Sequence, residues 1–171
     1  MTSSDNIEVG DVDGSKWVRV NGKGSFMSSP RVKEYVEDCL EGGCEEVVVD
    51  LDVCPAMDST FMGTLAGLAL KLQQRKGHLT VVGLSERNRD SLVDLGLDAI
   101  LDLEGEDGAS EWDGRMGEIR EGLQPWSAEA SGAAAAEEVL EAHRKLCDVD
   151  QRNEEKFGSV LEVLEKECAS S

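Results

Sequence analysis

Residues 46–63, EVVVDLDVCPAMDSTFMG, run from a β-branched stretch into acidic residues, then through a short loop that brings Asp58, Ser59 and Thr60 to the start of a helix. Glu46 to Leu51 is short and apolar enough for a central strand covered on both faces. From Ser59 the apolar positions Phe61, Met62, Leu65, Leu68, Ala69 and Leu72 recur at helical spacing. Lys71, Arg75, Lys76 and Gly77 then suit a helix C-terminus. A hydroxyl on Ser59 would therefore stand between a buried strand and a helix, where a charge can be added or read.

On the N-terminal side, Trp17, Val18 and Val20 ahead of Asn21-Gly22 predict a strand and tight turn. Gly24 to Met27 would be the return strand of that hairpin, and residues 1–14 a polar leading segment. Ser28-Ser29-Pro30 has the form of a helix start, and Val32, Tyr35, Val36, Cys39 and Leu40 keep helical spacing until Gly42-Gly43. On the C-terminal side, Leu79 to Val82 reads as another buried strand. A helix over 85–95 follows with Ser85 as its cap, and Leu97, Ile100, Leu101 and Leu103 form a last strand-like edge. Residues 15–103 are thus expected to form a layered α/β domain.

Composition narrows the function. The formal net charge of -19 disfavours nucleic acid and anionic lipid as partners and points to a protein with a basic face. No apolar run approaches the roughly 20 residues that span a bilayer, so no membrane insertion is expected. The 5 cysteines are an odd number without a CxxC pair, which fits reduced thiols in a cytoplasm. Residues 1–103 hold 18 acidic and 10 basic side chains, net -8, and residues 104–171 hold 18 and 7, net -11, so the tail is the more acidic part. Residues 104–133, rich in Gly, Ala and Glu, read as an acidic connector. Residues 134–171 read as a helical extension of two amphipathic helices, about 134–147 and 150–167.

VVVDLDVCPAMDSTFMG, followed after one helix by LTVVGLSERNRDSLVDLGLDAIL, resembles the STAS domain, named for sulfate transporters and anti-sigma factor antagonists. The likeness covers residues 17 to about 103. It implies a mixed sheet of four to five strands backed by helices, no catalytic machinery, no cofactor or metal, and a binding face around the loop before the second helix. In the antagonist branch, the Ser after that Asp is phosphorylated by a partner that is both kinase and anti-sigma factor, and a phosphatase resets it. Ser59 holds that position. The resemblance implies a bacterial, cytoplasmic partner-switching adaptor that contacts a regulatory protein through Asp58, Thr60, Phe61, Met62 and Gly63, with Met27 and Ser28 alongside. The alternative within the family is a non-switching STAS subunit, an adaptor in a transport or signalling complex.

The chain departs from the antagonist motif at Phe61, where that motif has a glycine; the ring would either pack on the core or face a partner. Several residues have simpler readings. Asp58, Ser59 or Thr60 would cap a helix, and Asp50 and Asp52 would be a solvated strand end beside any phosphate on Ser59. Cys54, amid acidic neighbours, is a small core or loop residue rather than a nucleophile. His78 and His143 lack metal-ligand spacing and are expected to be structural. The C-terminal helices are expected either to pack on the domain or on each other, or to serve as an arm for self-association or partner docking.

Overall fold

The computed structural model describes residues 7–104, 112, 114–126 and 133–170. The strands β1 (Ile7–Val12), β2 (Ser15–Val20), β3 (Glu46–Asp50), β4 (His78–Val82), β5 (Asp102–Leu103) and β6 (Gln124–Pro125) form a single sheet of 6 strands in the order β5-β4-β3-β2-β1-β6. Strands β2 to β5 pair in parallel, and β1 is antiparallel to both β2 and β6. The crossovers are α1 (Ser29–Glu41), α2 (Ser59–Gln74) and α3 (Glu86–Asp94). The chain continues through α4 (Met116–Gly122) to α5 (Ala136–Val149) and α6 (Asn153–Ser170).

The first hairpin lies one strand earlier than expected. Residues 7–12, within the stretch read as a polar leader, form β1. It turns into β2 at Asp13 and Gly14, whose φ angles of 53° and 90° are the left-handed pair that Asp-Gly hairpins use. Gly24 to Met27 is not a return strand. Gly24 instead bridges the loop before α2, its N–H donating to the Ala56 carbonyl at 2.9 Å and its carbonyl accepting from Asp58 N–H at 2.8 Å. A Cβ on Gly24 would sit 2.8 Å from the Phe61 ring, so the glycine makes room for the aromatic.

Alternation along the strands gives the sheet two apolar faces. Val18, Val20, Val47, Val49, Leu79 and Val81 face the main core with Val36, Leu65 and Leu72 of α1 and α2. On the opposite face, Trp17, Val48 and Val82 pack against Trp112, Ile119 and Leu123. Trp17 and Trp112 meet edge to face at 5.2 Å. Residues 112 and 114–125, within the stretch expected to be a connector, therefore supply α4, the edge strand β6 and a lid over the second face. Their Gly and Glu content obscured apolar residues whose burial stabilises by ~1.5–3 kcal/mol each.

Buried charge fixes that lid. Asp50, at the end of β3, is fully buried and accepts from Arg120 twice, Nε to Oδ2 at 2.7 Å and Nη2 to Oδ1 at 3.1 Å. Arg19 Nε lies 3.8 Å from the same carboxylate, and Asp52 Oδ2 lies 3.6 Å from each arginine. The expectation of a solvated strand end is corrected here for Asp50. Alternation turns its side chain to the face that α4 covers, and the paired guanidinium compensates the loss of water.

Candidate functional site at the start of helix α2

Three segments build the start of α2. The loop leaving β3 is pinned by Leu51 N–H to the Val82 carbonyl at 3.0 Å and by the buried Asn88 side chain, whose Nδ2 donates to the Cys54 carbonyl at 2.8 Å. Asp58 is the N-cap, extended at φ -97° and ψ 173°. Its Oδ1 accepts from Phe61 N–H at 2.8 Å and its Oδ2 accepts from Phe26 N–H at 2.9 Å. One carboxylate therefore caps the helix and fastens the turn before α1. Asp58→Ala is expected to lose ~1–2 kcal/mol of stability through the cap alone. Chemical denaturation would show this as an earlier midpoint with an unchanged slope.

Because Asp58 takes the cap, the Ser59 hydroxyl has another partner. Ser59 Oγ lies 2.8 Å from Nε2 of His143, which arrives on α5 from 84 residues away. The other imidazole nitrogen, Nδ1, lies 2.7 Å from the Val139 carbonyl one turn earlier. A carbonyl only accepts, so Nδ1 carries a proton, and in the neutral ring Nε2 accepts from the Ser59 O–H. The Phe157 ring of α6 packs edge to face on the imidazole at 5.2 Å. His143 is buried, whereas Ser59 is half-buried.

Helix α5 lies close along α2. A Cβ on Gly63 would come within 2.6 Å of the Ala142 carbonyl carbon and 2.9 Å of its Cα, so only glycine permits this approach. Leu146 of α5 is fully buried in the main core. At the α5–α6 joint, the buried Asn153 Nδ2 donates to the Leu146 carbonyl at 2.7 Å and the Leu95 carbonyl at 2.9 Å. Arg152 beside it holds the Asp150 carboxyl down at about 2. A depressed carboxyl contributes stability above its ordinary value of 3.8 and loses it as pH falls through about 2.

The residues expected at a partner surface separate accordingly. Thr60, Phe61, Met62, Gly63 and Ser28, expected at the partner contact, are buried within the chain. Phe61 packs down into the space beside Gly24, and α5 covers the face of α2 at Gly63. Met27 reaches solvent with its neighbour Phe26, and Asp58 and Ser59 are half-buried between them and α5. Asp50 does not neighbour Ser59 in a shared cluster, being committed to Arg120 across the sheet.

The other candidates have settled surroundings. Burial pushes the Cys54 thiol up from its ordinary value, and its Sγ lies 3.3 Å from the Ala56 carbonyl, away from thiolate chemistry. His78 is exposed and paired with Glu46 at 3.1 Å. Among the described residues no group of three or more His, Cys, Asp or Glu side chains is placed to hold a metal ion. No helix among them is long and apolar enough to cross a membrane. The partnership of Ser59 with His143 was not anticipated; the one sequence signal was a histidine on the apolar stripe of an amphipathic helix, which marks burial but not the partner.

Comparison with known proteins agrees with this fold. The chain is 29% identical over 82 residues to the anti-sigma-B factor antagonist of Staphylococcus aureus strain NCTC 8325, covering 48% of this chain and 76% of that protein. It is 32% identical to the anti-sigma-B factor antagonist of Staphylococcus epidermidis, again over 48% of this chain and 76% of that protein. The crystal structure of an anti-sigma factor antagonist from Mycobacterium paratuberculosis superposes with a TM-score of 0.50 at 25% identity, covering 63% of this chain and 93% of that one. The STAS domain model matches residues 6–106, more than half of the chain, and the protein belongs to the STAS domain family.

Proposed function

We propose that the chain is an anti-sigma factor antagonist or a closely related partner-switching adaptor, acting in the cytoplasm by binding a regulatory protein and catalysing nothing itself. The observation that carries this reading is the division of labour at the start of α2. Asp58 caps the helix, which leaves the Ser59 hydroxyl free of backbone duty at the point where the family places its switch. The contact surface centres on Phe26, Met27, Asp58 and Ser59, with Thr60, Met62 and Gly63 supporting it from beneath. A basic face on the partner would complement the net charge of -19.

Regulation on this reading is phosphorylation of Ser59. A kinase moves the γ-phosphoryl group of ATP onto Oγ, the hydroxyl proton is lost and ADP leaves; a phosphatase returns the hydroxyl by hydrolysis. The phosphate brings about -1.5 to -2 charges and sits at a helix N-terminus whose dipole tolerates it, so the fold is expected to survive. The partner contact then weakens by repulsion and desolvation. Incubation with the cognate anti-sigma kinase and ATP, followed by mass spectrometry, is expected to locate phosphate on Ser59. Ser59→Glu should bind that partner at least about tenfold more weakly than wild type, ~1.4 kcal/mol, while Ser59→Ala stays close to wild type. Equal affinities in all three forms would favour the constitutive adaptor, a reading to which the closed Ser59–His143 contact lends weight.

A further inference from the structure

We propose that Cys39 and Cys44, at the end of α1, form a modification site: a dithiol that a hydroperoxide converts to a disulfide within the chain.

The backbone brings the two residues together. Gly42 and Gly43 end α1, and Gly43 takes a φ of 88°, in the left-handed region that glycine adopts without steric cost. Cys44 N–H donates to the Cys39 carbonyl at 3.1 Å, and Gly43 N–H donates to the Leu40 carbonyl at 3.0 Å. These nested bonds are the Schellman closure of a helix, which sets the side chain after the glycine against the one five positions earlier. Both positions are cysteine here. The two thiols are within hydrogen-bonding reach of each other, and the Tyr35 hydroxyl is within reach of Cys39 Sγ. The other cysteines lie elsewhere: Cys54 Sγ is held at the Ala56 carbonyl, Cys147 is on α5 and Cys168 is on α6.

The pair is open to a small reagent on one side. A cleft of about 360 Å³ reaches it between α1 and the β1–β2 hairpin, lined by Lys16, Tyr35, Cys39, Gly43 and Cys44. Cys39 is 9% exposed, whereas Cys44 is partly exposed and meets the oxidant first. The charged groups around the thiols are Lys16 of β2, whose ammonium lies 2.6 Å from Asp11 of β1, Asp38 of α1, and Arg75 after α2. Burial pushes both thiols up, Cys39 to about 11, and Lys16 offsets only part of that. The pair is therefore mostly protonated at neutral pH, which suits thiols that stay reduced until peroxide accumulates.

The reaction needs no oxidant besides the hydroperoxide. The Cys44 thiolate attacks the outer peroxide oxygen, the O–O bond breaks, and the other oxygen leaves as alcohol, or as water when the reagent is hydrogen peroxide, so that Cys44 becomes a sulfenic acid. Cys39 sulfur then attacks Cys44 sulfur, the S–O bond breaks, and the Cys39 proton leaves with the hydroxyl group as water. Two thiols lose two electrons and two protons in all. The backbone bond between the same two residues holds their Cα atoms near the separation of roughly 4.4–6.8 Å that a disulfide spans.

Peptide mass spectrometry on the full chain tests this. The reduced protein is treated with one equivalent of hydrogen peroxide, and the remaining thiols are capped with N-ethylmaleimide in denaturant. The expected product has Cys39 and Cys44 joined and unlabelled, two hydrogens lighter, with Cys54, Cys147 and Cys168 labelled. Cys39→Ser should instead leave a sulfenic acid on Cys44 that dimedone traps, and Cys44→Ser should leave Cys39 labelled. Bond formation in the wild type should quicken roughly tenfold per pH unit below pH 9, following the thiolate. The disulfide form is expected to melt about 4–8 °C above the dithiol form, and dithiothreitol should reverse the shift. Labelling of both Cys39 and Cys44 after the peroxide is consumed overturns the proposal, as does a bond from Cys44 to any other cysteine. A disulfide form that melts no higher than the dithiol also overturns it, because the native turn would then not fit the bond.

Discussion

Gly63→Ala is expected to destabilise the protein, although helix propensity alone predicts the reverse. Replacing an interior helical glycine with alanine ordinarily stabilises by ~1 kcal/mol. Here the new methyl would lie 2.6 Å from the Ala142 carbonyl carbon, a backbone atom that cannot rotate aside. Overpacking of this kind costs ~1–3 kcal/mol, and separation of α5 from α2 also breaks the Ser59–His143 bond, worth ~1 kcal/mol. The opposing terms leave a net loss of ~1–3 kcal/mol, a fall of about 2–12 °C in the thermal midpoint for a chain of this size. Gly67→Ala is the internal control. Its methyl would meet only the Lys145 side chain at 3.4 Å, which can move, so the same substitution one turn later should be neutral or mildly stabilising. Thermal unfolding of the two variants side by side checks the argument, and an equal response at both positions would contradict the close approach of α5.

Arg120→Leu is expected to have the larger effect. It removes both close hydrogen bonds to a carboxylate that is fully buried, leaving Arg19 at 3.8 Å as the nearest remaining cation. Removing one partner of a buried pair costs ~3–5 kcal/mol, and the surviving carboxylate keeps only the longer Arg19 contact and the Asp52 N–H at 3.0 Å. The lid made by Trp112, Ile119 and Leu123 would loosen with it, and Trp17 fluorescence should report the change. Asp50→Leu combined with Arg120→Leu should recover much of the loss, since the second substitution removes the stranded charge. Urea denaturation of the two single variants and the double variant would give the coupling directly. Additive losses would mean that the pair is not coupled as the geometry indicates.

The central strands were legible because Val47, Val48 and Val49 are β-branched and lie between turn residues, and because α2 begins and ends on strong local signals. The cap was legible only as a set of three candidates. The choice of Asp58 over Ser59 follows from a contact with Phe26, 32 residues away, that no local pattern encodes. Strand β1 left a readable signal at Asp13-Gly14, which acidic neighbours obscured. Residues 112–125 were harder. Their apolar side chains are few and their chief polar bond, Arg120 to Asp50, joins residues 70 apart. The inward turn of Phe61 depends on Gly24 and the burial of Gly63 depends on Ala142. Both are tertiary facts, and together they bury the first turns of α2.

The central claim is that the state of Ser59 decides whether this STAS protein holds its partner. The direct measurement is titration calorimetry of the purified cognate anti-sigma factor against the full chain with serine at 59 and with encoded phosphoserine at 59. The account predicts saturable binding to the serine form and at least about a tenfold weaker affinity, ~1.4 kcal/mol, for the phosphoserine form. Equal affinity for the two forms would contradict it.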